Sequence, residues 1–248
     1  ACNYDSQAIL DDGSCLNCGS LDAFNGNYFE VDNISFENAL GVTISLWVHD
    51  EDFSQNPEDF STYIDFGSTD SYRYVIRNRS GKIEASMEGE SLPSEYNGQE
   101  IDWSYPFASV SGGLSDNTCG SLNDGWHNIT AVFCATNIKL YINGEFANSS
   151  VSNVYFSEFD LSSSSSKVIG NIQYNPGSLQ EPADAKIDEV RIWSRALSAT
   201  EIYERVGIDN QIGLVISEEI NLEGYWKFDC SYLNEVNMLS ATAENVTF

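Results

Sequence analysis

Short segments in which apolar and polar residues alternate recur along most of the chain. In Val42–Val48 the valines, Ile44 and Leu46 share one face, as they would in a β-strand whose side chains alternate between its two sides. The same reasoning predicts strands at Asn27–Val31, Thr62–Phe66, Tyr72–Arg77, Lys82–Met87, His127–Cys134, Asn137–Ile142, Lys167–Ile169, Lys186–Trp193 and Gly224–Phe228. Such a series with little helical periodicity predicts an all-β fold, a two-sheet antiparallel sandwich.

Two kinds of connection join these strands. Asn143-Gly144 stands between β-forming segments and predicts a type I′ hairpin turn, because both central residues of that turn need positive φ. Residues 89–125 carry only weak strand signals and include Gly112-Gly113, so they are interpreted as a long loop. A run of serines at Ser162–Ser166 is typical of a solvated loop.

One short helix is predicted near residue 200. Ser198 and Glu201 have the spacing of a capping box, in which each side chain bonds the backbone amide of the other residue. Gly207 stands where a helix commonly ends. An apolar stripe that would pack on the sandwich is formed by Ile202, Tyr203 and Val206.

The charge of the chain excludes some partners. Its 38 acidic and 11 basic residues give a net charge of -27, which disfavours phosphate backbones and anionic membranes alike. No apolar run approaches the roughly 18 residues that suggest a spanning helix. We therefore expect neither nucleic-acid binding nor membrane insertion, while excess carboxylate suits a salty medium or divalent cations.

The six cysteines are best interpreted as disulfide partners in an oxidising compartment, because neither histidines nor a second Cys-x-x-Cys pair complete a zinc site. Their connectivity is open among the possible pairings. The favoured set comprises Cys119–Cys134, Cys2–Cys15 and Cys18–Cys230. An extracellular or cell-surface location follows from this interpretation.

Three regions differ in composition. Residues 1–20 form a Cys-rich spacer of turn-forming residues, residues 21–206 contain most of the β pattern, and residues 207–248 form an extension. Since the chain begins at Ala1 without a signal segment, we interpret it as a processed product or a piece of a longer polypeptide.

Three segments together resemble a known family. Asp124–Ala147 is similar to the Trp-His, strand and Asn-Gly hairpin of laminin-G-like domains, Lys186–Ile202 resembles that family's later strand, turn and helix, and Val42–Val48 resembles an early strand. The resemblance is to the pentraxin-like branch of the concanavalin A-like jelly rolls, and it implies a jelly-roll sandwich without naming a ligand.

Two further resemblances concern the ends of the chain. Ala1–Cys15 is similar to a short Cys-rich spacer of large secreted proteins in marine Bacteroidetes. Leu222–Asp229 resembles the strand that usually opens such a domain, although here it comes last. That strand could complete this sandwich or begin a following unit. Both features imply one module of a larger surface protein.

Exposed aromatic residues are candidate sugar-binding groups, because their rings stack on the apolar faces of sugars. Trp103 and Tyr105 alternate with Phe107 in the long loop, and Tyr96 is close to them in sequence. Trp47 shares the polar face of its strand with His49. The alternative is that the loop rings fasten the loop to the sandwich. We expect Trp126, Trp193 and Trp226 to be core or edge residues.

A structural Ca²⁺ site is the candidate metal centre. By strand parity Asp188 shares a face with Val190 and Ile192, so its carboxylate would point toward the apolar core and need a cation or a base. The resemblance implies that backbone oxygens of the Asn25–Asn27 turn would complete the site, which makes Asn25 and Asn27 candidates. The alternative is that Asp188 pairs with an arginine or with backbone amides.

A glucanase site is also conceivable, since Glu100, Asp102 and their neighbours resemble the catalytic strand of retaining glucanases. In that pattern the acid/base falls at Tyr105, so the second carboxylate is missing. We therefore expect no enzyme activity. The preferred function is an extracellular adhesion module that binds a glycan or a surface protein. A structural role in a surface filament or coat, assembled with further copies or other domains of the same polypeptide, is the alternative.

Overall fold

The computed structural model describes the greater part of the predicted β region. The described residues are 20–23, 26–31, 34–36, 39–50, 60–67, 73–79, 82–88, 95–96, 99–100, 107–113, 126–134, 137–151, 167–175, 178–179, 182–206, 220–228, 233–236, 239–240 and 243–244.

These residues form strands and one helix, as the alternation predicts. In chain order the strands are β1 Leu21–Asp22, β2 Tyr28–Glu30, β3 Gly41–Asp50, β4 Phe60–Phe66, β5 Arg73–Arg79, β6 Lys82–Glu88, β7 Glu95–Tyr96, β8 Gln99–Glu100, β9 Phe107–Gly113, β10 His127–Cys134, β11 Asn137–Ile142, β12 Glu145–Val151, β13 Lys167–Ile169, β14 Gln173–Asn175, β15 Ser178–Leu179, β16 Ala185–Trp193, β17 Leu222–Trp226, β18 Leu233–Asn234, β19 Leu239–Ser240 and β20 Ala243–Glu244. The helix α1 spans Ala199–Val206.

Two antiparallel sheets of seven strands each make the sandwich, so the predicted fold class is confirmed. Sheet I has the order β1-β16-β3-β10-β11-β12, and β17 pairs with β16 beside β1. Sheet II has the order β20-β2-β13-β4-β5-β6-β9. Chain neighbours are therefore often separated in space, as in a jelly roll.

Sheet II contains a strand that the sequence did not predict. β9 lies within the stretch interpreted as a long loop, yet it pairs with β6 along its whole length, from Lys82↔Gly113 to Glu88↔Phe107. Serines and glycines make its local β signal weak. Pairing with β6 across the sheet, rather than local propensity, makes this segment a strand.

The core lies between the two sheets. The alternate apolar residues of β3 pack inward, and Val42, Ile44, Leu46 and Val48 are all almost completely buried. Trp226 and Phe228 pack on Phe29 in edge-to-face contacts with ring centroids 6.1 and 5.3 Å apart. The segment around β17 thus belongs to this sandwich, on the same edge of β16 as β1.

A bulge interrupts β16 and corrects the predicted direction of Asp188. Asp188 is opposite Trp47, but Arg191 is opposite Ser45, so β16 contains one extra residue between these two pairs. Glu189 occupies the bulge with φ of 50°. The parity prediction for Asp188 is therefore wrong: its side chain is on the outer face with that of Trp47, and it is only half-buried.

The second, smaller apolar cluster lies on the outer face of sheet I, beneath α1. Ile202, Leu197, Trp193 and Tyr225 are its main members. Thr43 Oγ1 accepts a hydrogen bond from the Leu197 amide at 3.0 Å and donates one to the Arg195 carbonyl at 2.8 Å. The helix therefore covers one end of the outer face.

The capping box and the hairpin turn are confirmed. Ser198 Oγ accepts from the Glu201 amide at 3.3 Å, and Glu201 Oε2 accepts from the Ser198 amide at 2.8 Å. Burial alone would raise the pKa of Glu201, but hydrogen bonds from Ser198 and the charge of Arg195 lower it to about 2. Asn143 and Gly144 both have positive φ, at 53° and 81°.

Candidate functional site

The end of the outer face that α1 leaves uncovered carries three ring side chains. Trp47 and His49 point outward from β3, because Leu46 and Val48 point to the core. Trp126 precedes β10, and its ring packs against His49 with centroids 5.7 Å apart at 63°. These three residues, Trp47, His49 and Trp126, are called the aromatic shelf.

Polar residues flank the aromatic shelf on the neighbouring strands. Lys186 is directly opposite His49 on β16, while Trp47 lies between Asp188 on β16 and Asn128 on β10. Directly opposite residues of antiparallel strands have Cβ atoms about 4.5–5.5 Å apart. A ligand lying on the rings would therefore be within reach of an amine and a carboxylate, whereas the Asn128 amide is only 2% exposed.

The exposure of Trp126 differs from the prediction that it is a core or edge residue. Its side chain is 38% exposed, whereas Trp193 and Trp226 are each 1% exposed and match the prediction. His49 and Trp47 are half-buried. The aromatic shelf thus presents accessible ring surface that is held in place by the strands beneath it.

A cleft continues from the aromatic shelf toward α1. Its volume is about 10 Å³, which is room for no more than one water molecule. The group named the helix cleft lines it: Ser45, Asn128, Thr130, Arg191, Trp193, Leu197, Ile202, Arg205 and Val206. Asn128 is also the neighbour of Trp47, and Ser45 is two residues from Trp47 on the same face. The shelf and the cleft are therefore adjacent.

Three side chains form a closed hydrogen-bond ring at the floor of the helix cleft. Asn128 Nδ2 donates to Ser45 Oγ at 3.1 Å, and Thr130 Oγ1 donates to Asn128 Oδ1 at 2.9 Å. Because a threonine hydroxyl has one hydrogen, the remaining 2.8 Å contact must be a bond that Ser45 donates to Thr130. Each hydroxyl of the ring thereby donates once.

The bulge in β16 places a buried charged group beside this ring. Arg191 Nη2 donates to Glu189 Oε2 at 2.5 Å and to the Tyr225 hydroxyl at 3.2 Å. Tyr225 in turn donates to Glu189 at 2.6 Å, and burial raises the pKa of its phenol. The Arg191 guanidinium also lies 4.5 Å from the centroid of the Tyr225 ring. The side chains of Glu189 and Tyr225 therefore hold Arg191 in one orientation.

Arg205 lines the opposite side of the helix cleft, from the last turn of α1. Its Nη1 donates to the Glu201 carbonyl at 2.9 Å, and its guanidinium carbon lies 5.8 Å from the Trp193 ring centroid. Burial lowers the pKa of Arg205, with Arg191 and Arg195 acting in the same direction. Even so, an arginine stays charged near neutral pH.

Of the four predicted aromatic ligands, the structure places Trp47 in this site. Tyr96 lies on β7, which pairs with β8. Trp103 and Tyr105 lie outside the described residues. Sequence reasoning missed Trp126, Arg191 and Arg205. Trp126 adjoins a recognised strand, but its exposure depends on the neighbouring strand, and the contacts of Arg191 with Glu189 and Tyr225 depend on a bulge that has no local sequence signal.

The predicted calcium ligands are only partly described. Asp188 Oδ1 accepts from the Glu189 amide at 2.7 Å, which agrees with the alternative of backbone pairing. Asn27 Nδ2 donates to the Asp22 carbonyl at 3.1 Å, and Asn25 lies outside the described residues. Within the described ranges no group of three or more His, Cys, Asp or Glu residues is arranged to hold a metal ion.

The disulfide pairings stay predictions. Cys134 has no disulfide partner among the described residues, and burial raises the pKa of its thiol. Its predicted partner Cys119 lies outside the described part of the chain, as do Cys2, Cys15, Cys18 and Cys230.

The sheet order and the helix-covered outer face define a lectin-type jelly roll. The chain belongs to the concanavalin A-like lectin/glucanase superfamily, whose laminin-G profile matches residues 24–203. The resemblance inferred from the three sequence segments is thereby confirmed. A search of curated proteins finds no significant match.

Solved structures share the fold at low sequence identity. A candidate carbohydrate-binding protein from Bacteroides ovatus has a TM-score of 0.61 and 17% identity, with 94% of this chain and 60% of that chain covered. A heptameric SAP-like pentraxin from Limulus polyphemus has a TM-score of 0.50 and 12% identity, with 92% and 89% covered. The chain thus spans only part of the first protein's length.

Within the described residues, no helix has the length and apolarity required to cross a membrane.

Proposed function

We infer that the protein is a carbohydrate-binding module and that the aromatic shelf is its binding surface. The observation that carries this inference is the presence of Trp126, 38% exposed and packed on His49, beside Trp47 on one open face. Rigid rings lose little conformational entropy when a ligand stacks on them. The flanking Lys186 and Asp188 supply a donor and an acceptor for sugar hydroxyls.

A non-catalytic role fits the same residues. The glucanase-like segment has Tyr105 where the second carboxylate would stand, and a retaining mechanism needs two carboxyl groups about 5–5.5 Å apart. The name of the Bacteroides ovatus neighbour is consistent with binding, although its likeness to this chain concerns the fold. The six cysteines and the net charge of -27 support a place outside the cell, within a larger surface protein.

The experiment compares glycan binding by the wild type and by shelf variants. Trp126→Ala and Trp47→Ala should each weaken binding of a glycan-array hit by about tenfold, because a stacked ring contributes roughly 1–2 kcal/mol. Phe146→Ala is the matched control, since Phe146 is 58% exposed on β12 and outside the shelf. Equal affinity for the wild type and both tryptophan variants would contradict the proposal.

A structural role in self-assembly is a second candidate, favoured by a different surface. Phe146 on β12 and Tyr203 on α1 are 58% and 50% exposed, and these two elements pack against each other. Exposed apolar groups on adjacent elements suit a protein partner. Light scattering at increasing protein concentration tests this role: association lost in Phe146→Ser would support it, and a monomer at every concentration would contradict it.

A further inference from the structure

The hairpin between β11 and β12 is bonded to the first residues of β10, next to the aromatic shelf. The Asn143 amide donates to the Asn128 carbonyl at 2.8 Å, and Asn143 Oδ1 accepts from the Asn128 amide at 2.9 Å. Asn143 Nδ2 lies 3.1 Å from His127 Nδ1. Because His127 directly follows Trp126, these bonds also restrain the backbone that carries one ring of the shelf.

The contacts of Asn143 determine the protonation state of the His127 ring. A backbone N–H only donates, so the Asn143 atom that faces the Asn128 amide is the oxygen, and the atom that faces His127 is the nitrogen. That nitrogen donates and has no acceptor capacity, so His127 Nδ1 must accept. His127 is therefore neutral in this arrangement, with its proton on Nε2.

A protonated His127 is incompatible with both side-chain hydrogen bonds of Asn143. In an imidazolium both ring nitrogens are donors, so Nδ1 would face the Asn143 amide donor. Turning the Asn143 amide over would give His127 an acceptor, but it would place Nδ2 against the Asn128 amide. In either orientation two donors face each other in a partly buried place, which is costly. Acid therefore breaks one link between the hairpin and β10.

The charged groups near His127 leave this argument intact. His127 lies on the core side of sheet I, because Val48 opposite it points to the core. On that side β12 contributes Glu145, whose exposed and screened carboxylate favours the protonated ring only weakly. No charged residue lies on β9, which packs on β11 and β12 across the sandwich. The outer side of sheet I carries the other charged or titratable groups of the neighbouring elements, which are His49, Lys186, Asp188 and, on α1, Glu204 and Arg205.

We propose that His127 is a positioning residue that makes the aromatic shelf sensitive to pH. Neutral His127 accepts from Asn143 and holds the backbone that places Trp126 on His49. Protonated His127 releases the Asn143 side chain, so mild acid loosens Trp126 and weakens glycan binding. Histidine suits this role because its charge ordinarily changes between about pH 5 and pH 8. This proposal rests on the proposed function and adds regulation of the same surface.

The first test needs no ligand, because the chain has only two histidines and their ring resonances are easily assigned. Nitrogen NMR at about pH 7.5 should show the His127 proton on Nε2. The Asn143 side-chain amide resonance should shift between about pH 7.5 and about pH 5.5 as its acceptor is lost. A proton on Nδ1 of neutral His127, or an Asn143 resonance that does not shift, would overturn the proposal.

Two variants change the hydrogen bond in opposite directions. His127→Asn places an uncharged acceptor near the position of Nδ1, so the bond should persist in acid. Asn143→Asp keeps Oδ1 for the Asn128 amide and replaces the Nδ2 donor by an oxygen, which favours protonated His127, and Asp-Gly suits the same turn. Between about pH 7.5 and about pH 5.5 the wild type should lose about 2–4 °C more in Tm than either variant. Equal losses in all three proteins would overturn the proposal.

The binding test reads one glycan array at about pH 7.5 and about pH 5.5. For the strongest signal, wild-type affinity should fall about fivefold in mild acid. The affinity of His127→Asn should differ by less than about twofold between the two conditions, and Asn143→Asp should bind at least as tightly in acid. A loss in acid that persists in His127→Asn would assign the titrating group elsewhere and overturn the proposal.

Failure of the pH response and failure of the shelf give different results. If glycans bind with equal affinity at both pH values, the shelf is retained and the role of His127 is overturned. If no glycan binds at either pH, the proposed function fails. The His127 tautomer and the comparison of Tm values then decide by themselves whether His127 controls the hairpin.

Discussion

The hydroxyl group of Tyr225 provides a sharp test of how the bulge in β16 is stabilised. Tyr225 is completely buried, donates to Glu189 at 2.6 Å and accepts from Arg191 at 3.2 Å. Tyr225→Phe removes both hydrogen bonds and keeps the ring. Glu189 and Arg191 remain paired with each other in the variant, so neither charge is left without a partner.

The expected loss of stability follows from those two bonds. A hydrogen bond to a charged group contributes about 1.5–3 kcal/mol, and the surviving Glu189–Arg191 pair limits the total to about 2–3 kcal/mol. For a chain of this size that corresponds to a decrease in Tm of about 5–10 °C. Urea unfolding followed by tryptophan fluorescence measures the free energy, with an unchanged m value expected.

The matched control is Tyr203→Phe on α1. Tyr203 is 50% exposed, so loss of its hydroxyl should change the free energy of unfolding by no more than about 0.5 kcal/mol. If Tyr225→Phe has the same urea midpoint as Tyr203→Phe, the hydrogen-bonded Glu189–Arg191–Tyr225 group does not stabilise the fold and the reasoning is refuted.

Three further predictions concern the turn, the helix cap and calcium. Gly144→Ala should lower the free energy of unfolding by about 1–2 kcal/mol in urea titrations, because φ is +81° and the new Cβ would lie 3.3 Å from Val206; an unchanged midpoint would contradict the strain argument. The Glu201 pKa of about 2 lies below the roughly 4.3 of an unfolded glutamate, so its stabilising effect is complete above pH about 4.3 and is lost toward pH about 2. Glu201→Gln should therefore flatten the dependence of Tm on pH in that window, and an equally steep acid loss would contradict it. The Ca²⁺ site at Asp188 stays a prediction from the sequence: it requires that chelation lower Tm and added Ca²⁺ restore it, with the response lost in Asp188→Asn, and a Tm indifferent to both would contradict it.

Local patterns predicted the parts of this fold that depend on neighbours in sequence. The alternation of Val42–Val48 identified β3, and the Asn143-Gly144 pair identified the hairpin turn between β11 and β12 from the backbone angles that the turn requires. Ser198 and Glu201 identified the start of α1 because a capping box is complete within four residues. These predictions were correct because their stabilising contacts are local.

Local patterns predicted neither β9 nor the exposure of Trp126 at the candidate site. β9 is a strand because β6 pairs with it, although its own residues favour strand weakly. Trp126 is accessible because its ring packs on the edge of His49 rather than beneath a neighbour. Neither fact depends on residues nearby in sequence.

The sequence by itself determined the all-β class, the faces of β3, the family and the outward direction of Trp47. Only the tertiary structure decided that Asp188 lies on the outer face beside Trp47 and that Arg191 pairs with Glu189 and Tyr225. The physical reason is the bulge at Glu189: one extra residue in β16 reverses the alternation of faces. That bulge depends on pairing with β3 and on hydrogen bonds to Tyr225 from β17, contacts between segments far apart in the chain.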